Sequence, residues 1–372
     1  MFKNLRELIT TMKDEKDCKE YLVQQRWNGK PVCPYCGCDR VYRIEERDRF
    51  KCASDKCYKK FSVTVGTIFE ASKIPLTKWF TAIYLSTAHK KGISSYQLGR
   101  DIQVSQKTAW FMLHRIREMM RPKNRSKLDF IVEADETHLG GSLSNKHYSV
   151  RKEMAEKEQD WKFNKVTALG MIQRNGELKM QVVDAKEKKN LQKRVRESLE
   201  FGATIITDEA NAYKGLNDDH YHFSVNHQRN EFARLHIHTN TIEGAFSHLK
   251  RMVYGIYHQI SPQHTHRYLD EFTYRFNSRK ITDSDRFNLS LQQVEGRLRY
   301  ETLIAATKPE NRLKKASKAY RTKPVIKRLN DEVIEIYPGM AIAARANKLA
   351  LSGIQQAIRN GIKCGGFNWE FA

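Results

Sequence analysis

The chain has no run approaching the roughly 18 uninterrupted apolar residues that a membrane span needs. Its first twenty residues interleave Lys3, Arg6, Lys13, Asp14, Glu15, Lys16, Asp17 and Lys19 where a signal peptide would carry an apolar core. The expected location is therefore cytoplasmic and nucleoid-associated, with no membrane partner. Acidic side chains are in deficit: 43 Asp and Glu stand against 66 Lys and Arg, a formal net charge of +23. That excess favours a polyanionic partner, nucleic acid first, although ribosomal and membrane-surface proteins carry similar charge. Cysteines are few, seven in 372 residues, and five of them crowd into 33–57. An odd number so placed suits a reducing compartment and a metal site, not a disulfide scaffold. Global disorder is excluded too, because 40% hydrophobic content lets two to four domains of roughly 100 to 200 residues build cores.

Composition shifts divide the chain. Residues 1–30 read as a helical lead with apolar Phe2, Leu5, Leu8 and Ile9, and a cysteine-rich block fills 31–62. Over 75–121 the spacing turns helical: Leu76, Trp79, Phe80, Ile83 and Tyr84 trace one helix, Ser94 to Ile102 a second, and Gln106 to Met120 a third. Ser105 is the candidate N-cap of the third, and Pro122 its stop.

Residues 128–300 read as an α/β layer arrangement. Phe130 to Asp135 alternates, which puts Ile131, Glu133 and Asp135 on one face. Val166–Gln173 and Leu178–Asp184 flank Asn175-Gly176, the signal for a two-residue type I′ hairpin. A charged helix (Glu187–Leu199), a short strand running through Thr204–Thr207 to Asp208, a fifth strand (His222–Val225) and a helix (Thr241–Tyr254) follow. Residues 142–164 are polar and charged and read as an exposed insertion. A basic linker at 301–324 leads to a compact closing module at 325–372.

Two thiolate pairs, Cys33-Pro-Tyr-Cys36 and Cys52-Ala-Ser-Asp-Lys-Cys57, are spaced so that two turns can converge on one tetrahedral ion, for which zinc is the natural occupant. Four protein ligands leave no open position, so this zinc is structural. Cys38 is a worse-spaced substitute for Cys36, while Cys18 and Cys364 are isolated and read as inert. The blander alternative is a set of spare core cysteines.

Asp135 at the end of the first strand, Asp208 just after an interior one and Glu243 on a later helix form an acidic constellation. Carboxylates so placed are expected to meet closely enough to hold two divalent ions about 3.5 to 4 Å apart, the arrangement for in-line attack on phosphorus. Lys250 follows Glu243 by two helical turns and shares its face, so one side chain would hold metal and the other grip phosphate. Glu133 shares the face of Asp135 but lies deeper, Glu136 and Glu209 should point away, and Asn240 reads as a supporting hydrogen-bonding group. Taken singly, any of these carboxylates is as readily a solvated charge or a helix cap.

The helices of 75–121 read as a helix-turn-helix whose last member carries Gln106, Lys107, His114, Arg115 and Arg117. Its first residues would touch bases and its cations phosphates. The alternative is a connector packed on the catalytic domain, with Trp110, Phe111 and Leu113 in the core. In the tail, Tyr337 to Gly361 places two helices around Leu351, with Ser352 as a cap. A helical oligomerisation cap is the rival reading there.

These runs together resemble a family: DDE-class insertion-sequence transposases with an N-terminal zinc ribbon, the ISXO-like group related to Merlin elements. The matching runs are Cys33-Pro-Tyr-Cys36-Gly37, Phe61-Ser-Val-Thr-Val-Gly-Thr-Ile-Phe69, Trp79-Phe80, Val132-Glu-Ala-Asp135-Glu-Thr and Gly140-Gly141. Thr207-Asp208-Glu-Ala, His238-Thr-Asn-Thr-Ile-Glu243-Gly, Leu249-Lys250-Arg251, Tyr268-Leu-Asp-Glu-Phe272 and Arg275-Phe-Asn277 continue the likeness to about residue 280. The resemblance implies a multidomain α/β chain: an RNase H-like catalytic core with a zinc ribbon and a helix-turn-helix before it. It implies that Asp135, Asp208 and Glu243 bind Mg²⁺ or Mn²⁺, with Lys250 and Arg251 at the DNA end. The implied reaction is cleavage at transposon terminal inverted repeats, then strand transfer into target DNA through the freed 3′ hydroxyl, by a homo-oligomer on DNA. Two departures are the wider second cysteine pair and the tail, which looks like the modular DNA-binding domain attached to homing endonucleases. The competing functional readings are a non-catalytic DNA-binding protein derived from such an enzyme, and a stand-alone RNase H-like nuclease.

Overall fold

The structure is a computed structural model of the chain and describes residues 2–44, 48–123, 126–140, 147–149, 151–152, 165–183, 188–208, 213, 215–225, 233–234, 236–305, 325–330, 332–337, 340–347 and 349–371. Gly141, Glu209, most of the insertion read at 142–164 and most of the linker read at 301–324 lie outside the described residues. The chain divides into two compact units, Met1–Ile304 and Ala305–Ala372. Among the described residues no helix is long and apolar enough to cross a membrane.

The first unit opens with α1 (Leu5–Thr11) and α2 (Glu15–Trp27), whose N-caps Asn4 and Asp14 accept from the amides of Glu7 and Asp17. Three short antiparallel strands follow: β1 (Val41–Ile44), β2 (Arg49–Cys52) and β3 (Lys60–Phe61). Then come α3 (Leu76–Ala88), α4 (Ser95–Asp101) and α5 (Gln106–Met119). Ser94 and Ser105 cap the last two, as their hydroxyls accept from Gln97 and Thr108, and Gln103 makes the intervening turn at φ +52°. One core joins these elements through Leu22, Phe50, Phe61, Ile68, Trp79, Phe80, Leu98 and Ile116. Phe287, Leu291 and Val294 also pack in it. The stretch read as one catalytic domain at 128–300 therefore returns at its end to the N-terminal core.

The second core lies around a five-stranded sheet in the order β6-β5-β4-β7-β8. Its strands are β4 (Ile131–Leu139), β5 (Val166–Gln173), β6 (Leu178–Val183), β7 (Thr204–Asp208) and β8 (Tyr221–Val225). The first three pair antiparallel, and β7 and β8 run parallel to β4. Alternation sorts the faces. Val132, Ala134, Leu169, Met171 and Ile205 pack against α6 (Lys188–Ser198) through Leu191 and Val195. Ala168, Ile172, Leu178 and Met180 pack against α7 (Asn240–Met252) and α8 (Thr265–Asn277) through Ile242, Phe246, Leu249, Leu269 and Phe272. Two short strands, β9 (Ala233–Arg234) and β10 (Ile237–His238), precede α7, and α9 (Asp283–Leu291) and α10 (Tyr300–Ile304) close the unit.

The β5–β6 hairpin differs from the expected two-residue type I′ turn. Gln173 and Glu177 still bond, Gly176 N–H donates to Gln173 O, and within the loop Asn175, not Gly176, has positive φ. The loop holds three residues, 174–176; Arg174 N–H donates to Ile131 O on β4 at 3.0 Å, and its side chain reaches Glu133 at 2.7 Å.

In the second unit β11 (Val325–Leu329), β12 (Glu332–Tyr337) and β13 (Asn368–Phe371) form an antiparallel sheet in the order β12-β11-β13. With α11 (Met340–Ala346) and α12 (Leu351–Asn360) it encloses Val325, Tyr337, Ala343, Ala344, Ile354, Ala357 and Trp369. The two helices match the sequence reading, but the strands do not belong to a purely helical module. Ala350, not Ser352, is the N-cap of α12.

Gly170 decides how closely α7 can approach the sheet. A Cβ there would stand 2.6 Å from a ring carbon of Phe246 and 2.8 Å from Ile242 Cδ1. Gly170→Ala should therefore lift α7 and destabilise the chain by about 1–3 kcal/mol, the usual cost of overpacking, as measured by urea unfolding. An unchanged midpoint would mean that the helix yields freely.

Candidate metal centres

The cysteine pairs converge. Cys33 and Cys57 sulfurs are 3.8 Å apart, those of Cys36 and Cys52 3.6 Å, and all four lie within 4.8 Å of one another. A tetrahedral zinc with bonds of about 2.3 Å holds its sulfurs roughly 3.8 Å apart, so the donor set and spacing fit that ion. Gly37 at φ +74° turns the first knuckle, its N–H donating to Cys33 O at 2.8 Å. The wider second pair works because Ser54 folds back, its N–H donating to Cys52 Sγ at 3.4 Å. Trp27, Phe50 and Phe61 pack edge-to-face and tilted beneath the strands that carry the cluster. Cys38 stays outside and points to Arg40 O, and burial, then Glu15, Asp17 and Asp14, push the Cys18 thiol up to about 12. The cluster is a structural zinc site.

The acidic residues come from two strands and a helix. β4 runs on to Leu139, so Asp135 is within a strand and not at its end as expected. The parallel pairing with β7, however, stops at Glu133 and Ile206. Continued by two residues, that register sets Asp135 opposite Asp208, on the face that α7 covers. Asp135 also faces Gly170 across β5, the position where α7 comes closest.

Glu133 fixes α7 over this point. Its carboxylate is fully buried and accepts from Thr241 N at 2.8 Å, Ile242 N at 3.0 Å, Thr241 Oγ1 at 2.9 Å and Arg174 Nε at 2.7 Å. It caps the helix from outside, because Thr239 at the N-cap position makes no side-chain cap bond. The Thr239 hydroxyl donates instead to Glu243 Oε1 at 3.1 Å. Arg174 also donates to the carbonyls of His236 and His238, which anchors β10. Sequence reasoning placed Glu133 deeper than Asp135 but missed its role. The available signal was an acid two residues before the aspartate on the same strand face.

Burial first, then the charges of Asp208, Glu136 and Glu243, raise the Asp135 pKa to about 7, against the amide of Glu136, which donates to Asp135 Oδ1 at 2.7 Å. Asp208 and Glu243 are thus electrostatic neighbours of Asp135. Among the described residues only the four cysteines close tightly enough to be a one-ion group, so the three carboxylates stand wider than that. Along α7 the exposed stripe runs Asn240, Glu243, Ser247, Lys250 and Arg251, which keeps Lys250 on the side of Glu243. Glu136 points to the opposite face, toward Tyr213.

The DNA-reading residues divide. Gln106 and Lys107 are exposed in the first turn of α5, Gln106 donating to Ser95 Oγ and Lys107 over the Tyr300 ring. Arg115 and Arg117 do not reach a surface, which corrects their expected phosphate role. Arg115 is 5% exposed and donates to the carbonyls of Leu298, Ile68 and Glu70. Arg117 is 2% exposed, pairs with Glu271 at 2.7 Å and lies against the rings of Tyr268 and Tyr257. His114 is buried beside Trp110 and His264. The apolar positions of α5 recur so densely that its last three turns belong to the core.

Full-length protein should contain one zinc per chain, and Cys36→Ser should contain little and melt earlier, because metal binding to such a site is folding free energy. Metal content by plasma emission checks this; a full equivalent of zinc in the variant would contradict the assignment.

Residues 127–277 match the ISXO2-like transposase domain family, and residues 13–60 match the transposase zinc-ribbon domain. An uncharacterized protein in transposable element ISH50 of Halobacterium salinarum is 28% identical over 269 residues, covering 65% of this chain and 84% of that protein. The crystal structure of the Mos1 strand transfer complex aligns at 13% identity over 56% of this chain and 75% of that one, with a TM-score of 0.20, a likeness too slight to show a fold. One matched stretch holds the cysteine cluster and the other the carboxylate-bearing sheet, so the chain carries a transposase zinc-ribbon domain followed by an ISXO2-like transposase domain.

Proposed function

We propose that the chain is a metal-dependent DNA transposase with an RNase H-like core, in which Asp135, Asp208 and Glu243 hold two divalent cations, Mg²⁺ or Mn²⁺. The observation that carries this reading is the register: two aspartates abreast at the point where parallel pairing ends, on the face covered by the helix bearing Glu243. The strand order, three antiparallel then two parallel, supports the RNase H-like comparison. Two ions about 3.5–4 Å apart divide their ligands, so the three carboxylates need not meet at one point; such ions supply activation of a water or sugar hydroxyl and stabilisation of the leaving oxygen. Asp135, half-buried and crowded by like charge, is costly to ionise without a cation beside it. Thr239 holds the Glu243 carboxylate, and Lys250, on the same stripe, meets the phosphate of the DNA end.

Cleavage at the terminal inverted repeats and joining of the freed 3′ hydroxyl to target DNA are the two reactions of this site. Gln106 and Lys107 at the exposed start of α5 touch bases, and Arg251 touches backbone. Residues 325–372 are a further DNA-reading module, and two chains bridge two ends. A non-catalytic descendant is the weaker reading, since Asp135, Asp208 and Glu243 are all acidic residues in the sequence and Asp135 feels the charge of the other two.

Purified protein with Mg²⁺ should nick a duplex carrying the element's terminal repeat. Asp135→Asn should lose nicking by about 100-fold or more, a catalytic-group loss, while keeping wild-type affinity for the duplex. Equal nicking by the variant would dismiss the metal assignment.

A further inference from the structure

The turn between α3 and α4 is His89-Lys90-Lys91-Gly92, closed by Gly92 N–H donating to His89 O at 3.3 Å. His89, Lys90 and Lys91 are exposed, whereas Gly92 is buried. Two adjacent lysines at the tip of a turn are usually mobile solvated charges, but this turn is bound from below at three points. Arg275, on α8, donates to His89 O. Arg286 donates to Thr87 O at 3.0 Å, just before the turn. Gly92, at φ +95°, sits where a Cβ would be 2.3 Å from Tyr257 Oη and 3.2 Å from Glu271 Oε1.

Those contacts seat the turn against Tyr257, in the segment that follows α7. Tyr257 lies just past the end of that helix and donates to Glu271, which Arg117 and Arg275 also hold. His248 Nδ1, on α7, accepts from Arg251 Nη2 at 3.2 Å; burial first, then the cations Arg251 and Lys91, keep its pKa below the ordinary value. Lys91 therefore reaches the surface that already carries His248, Lys250 and Arg251. Cations from two separate elements converge there, with no carboxylate among the groups that shift His248.

We propose that Lys90 and Lys91 are a phosphate clamp for double-helical DNA, continuing the track of Lys250 and Arg251 from the carboxylate site toward the helices α4 and α5. The inference rests on the transposase reading and adds a contact to it. Gly92 is the positioning residue: it lets the turn close on Tyr257, so the lysines approach a phosphate path with little further ordering. DNA bound at the carboxylates would be gripped on one flank by α7 and at its continuation by this turn.

The test is the salt dependence of binding to an arbitrary 30-base-pair duplex, because phosphate contacts are sequence-independent and each contributes about 0.9 to the slope of log K against log salt. Lys90→Ala with Lys91→Ala, both exposed and expected to fold, should make that slope shallower by about 1.8. Lys193→Ala with Arg194→Ala, on α6 across the sheet, should leave it unchanged. Gly92→Ala keeps every charge yet displaces the turn, and should weaken binding in the same direction. A wild-type slope in the Lys90/Lys91 variant, or an equal loss in the α6 variant, overturns the clamp while leaving the transposase reading intact. A flat salt response of the wild-type chain would overturn both.

Discussion

A buried carboxylate governs the geometry of the acidic site. Glu133 lies in the sheet with no exposure, and the groups that satisfy it come from a hairpin loop and from the first turn of α7. Removing one partner of such a buried pair typically costs about 3–5 kcal/mol, since it strands the other charge. The three bonds from Thr241 and Ile242 set the axial position of α7, and hence how far Glu243 stands from the aspartates. Stability and site geometry thus share one residue that touches no substrate.

A second constraint fixes the helix laterally. Gly170 opposes Asp135 and leaves room for Phe246 and Ile242, so at that point α7 rests on backbone. At the far end of the same helix, Tyr257 joins Glu271, which binds Arg117 of α5 and Arg275 of α8. Burial would raise the Glu271 carboxyl, but Arg117 and Arg275 outweigh it and hold it down to about 2. The helix that bears Glu243 is therefore held at its start by the sheet and at its end by the N-terminal helices. α5 meets α8 through the Arg117–Glu271 ion pair and the rings of His114 and Tyr268.

Much of this was legible in the sequence because the relevant signals are local. The cysteine spacing gave the zinc cluster, period-two alternation put Glu133 and Asp135 on one face, and Ser105 marked the start of α5. What failed was long-range. Arg115 and Arg117 look like any cations on a recognition helix, and only the partners Leu298, Ile68 and Glu271, far along the chain, draw them inward. Asn175-Gly176 indicated a two-residue turn, yet three residues separate the paired Gln173 and Glu177, and the contact of Arg174 with Glu133 lies 41 residues away in sequence. The strands of the last unit were hidden because Val333, Ile334 and Ile336 are all exposed, which erases the alternation that would mark a half-buried strand.

The central claim is that two parallel aspartates and a helix-borne glutamate make a two-cation site. Electron paramagnetic resonance of Mn²⁺ titrated into the zinc-loaded full chain tests it most directly. The account predicts two ions per chain at saturation with the exchange-coupled spectrum of a close pair, and loss of that coupling in Asp135→Asn while zinc remains. Uncoupled Mn²⁺ in the wild-type chain, or the same coupled spectrum in the variant, would contradict it.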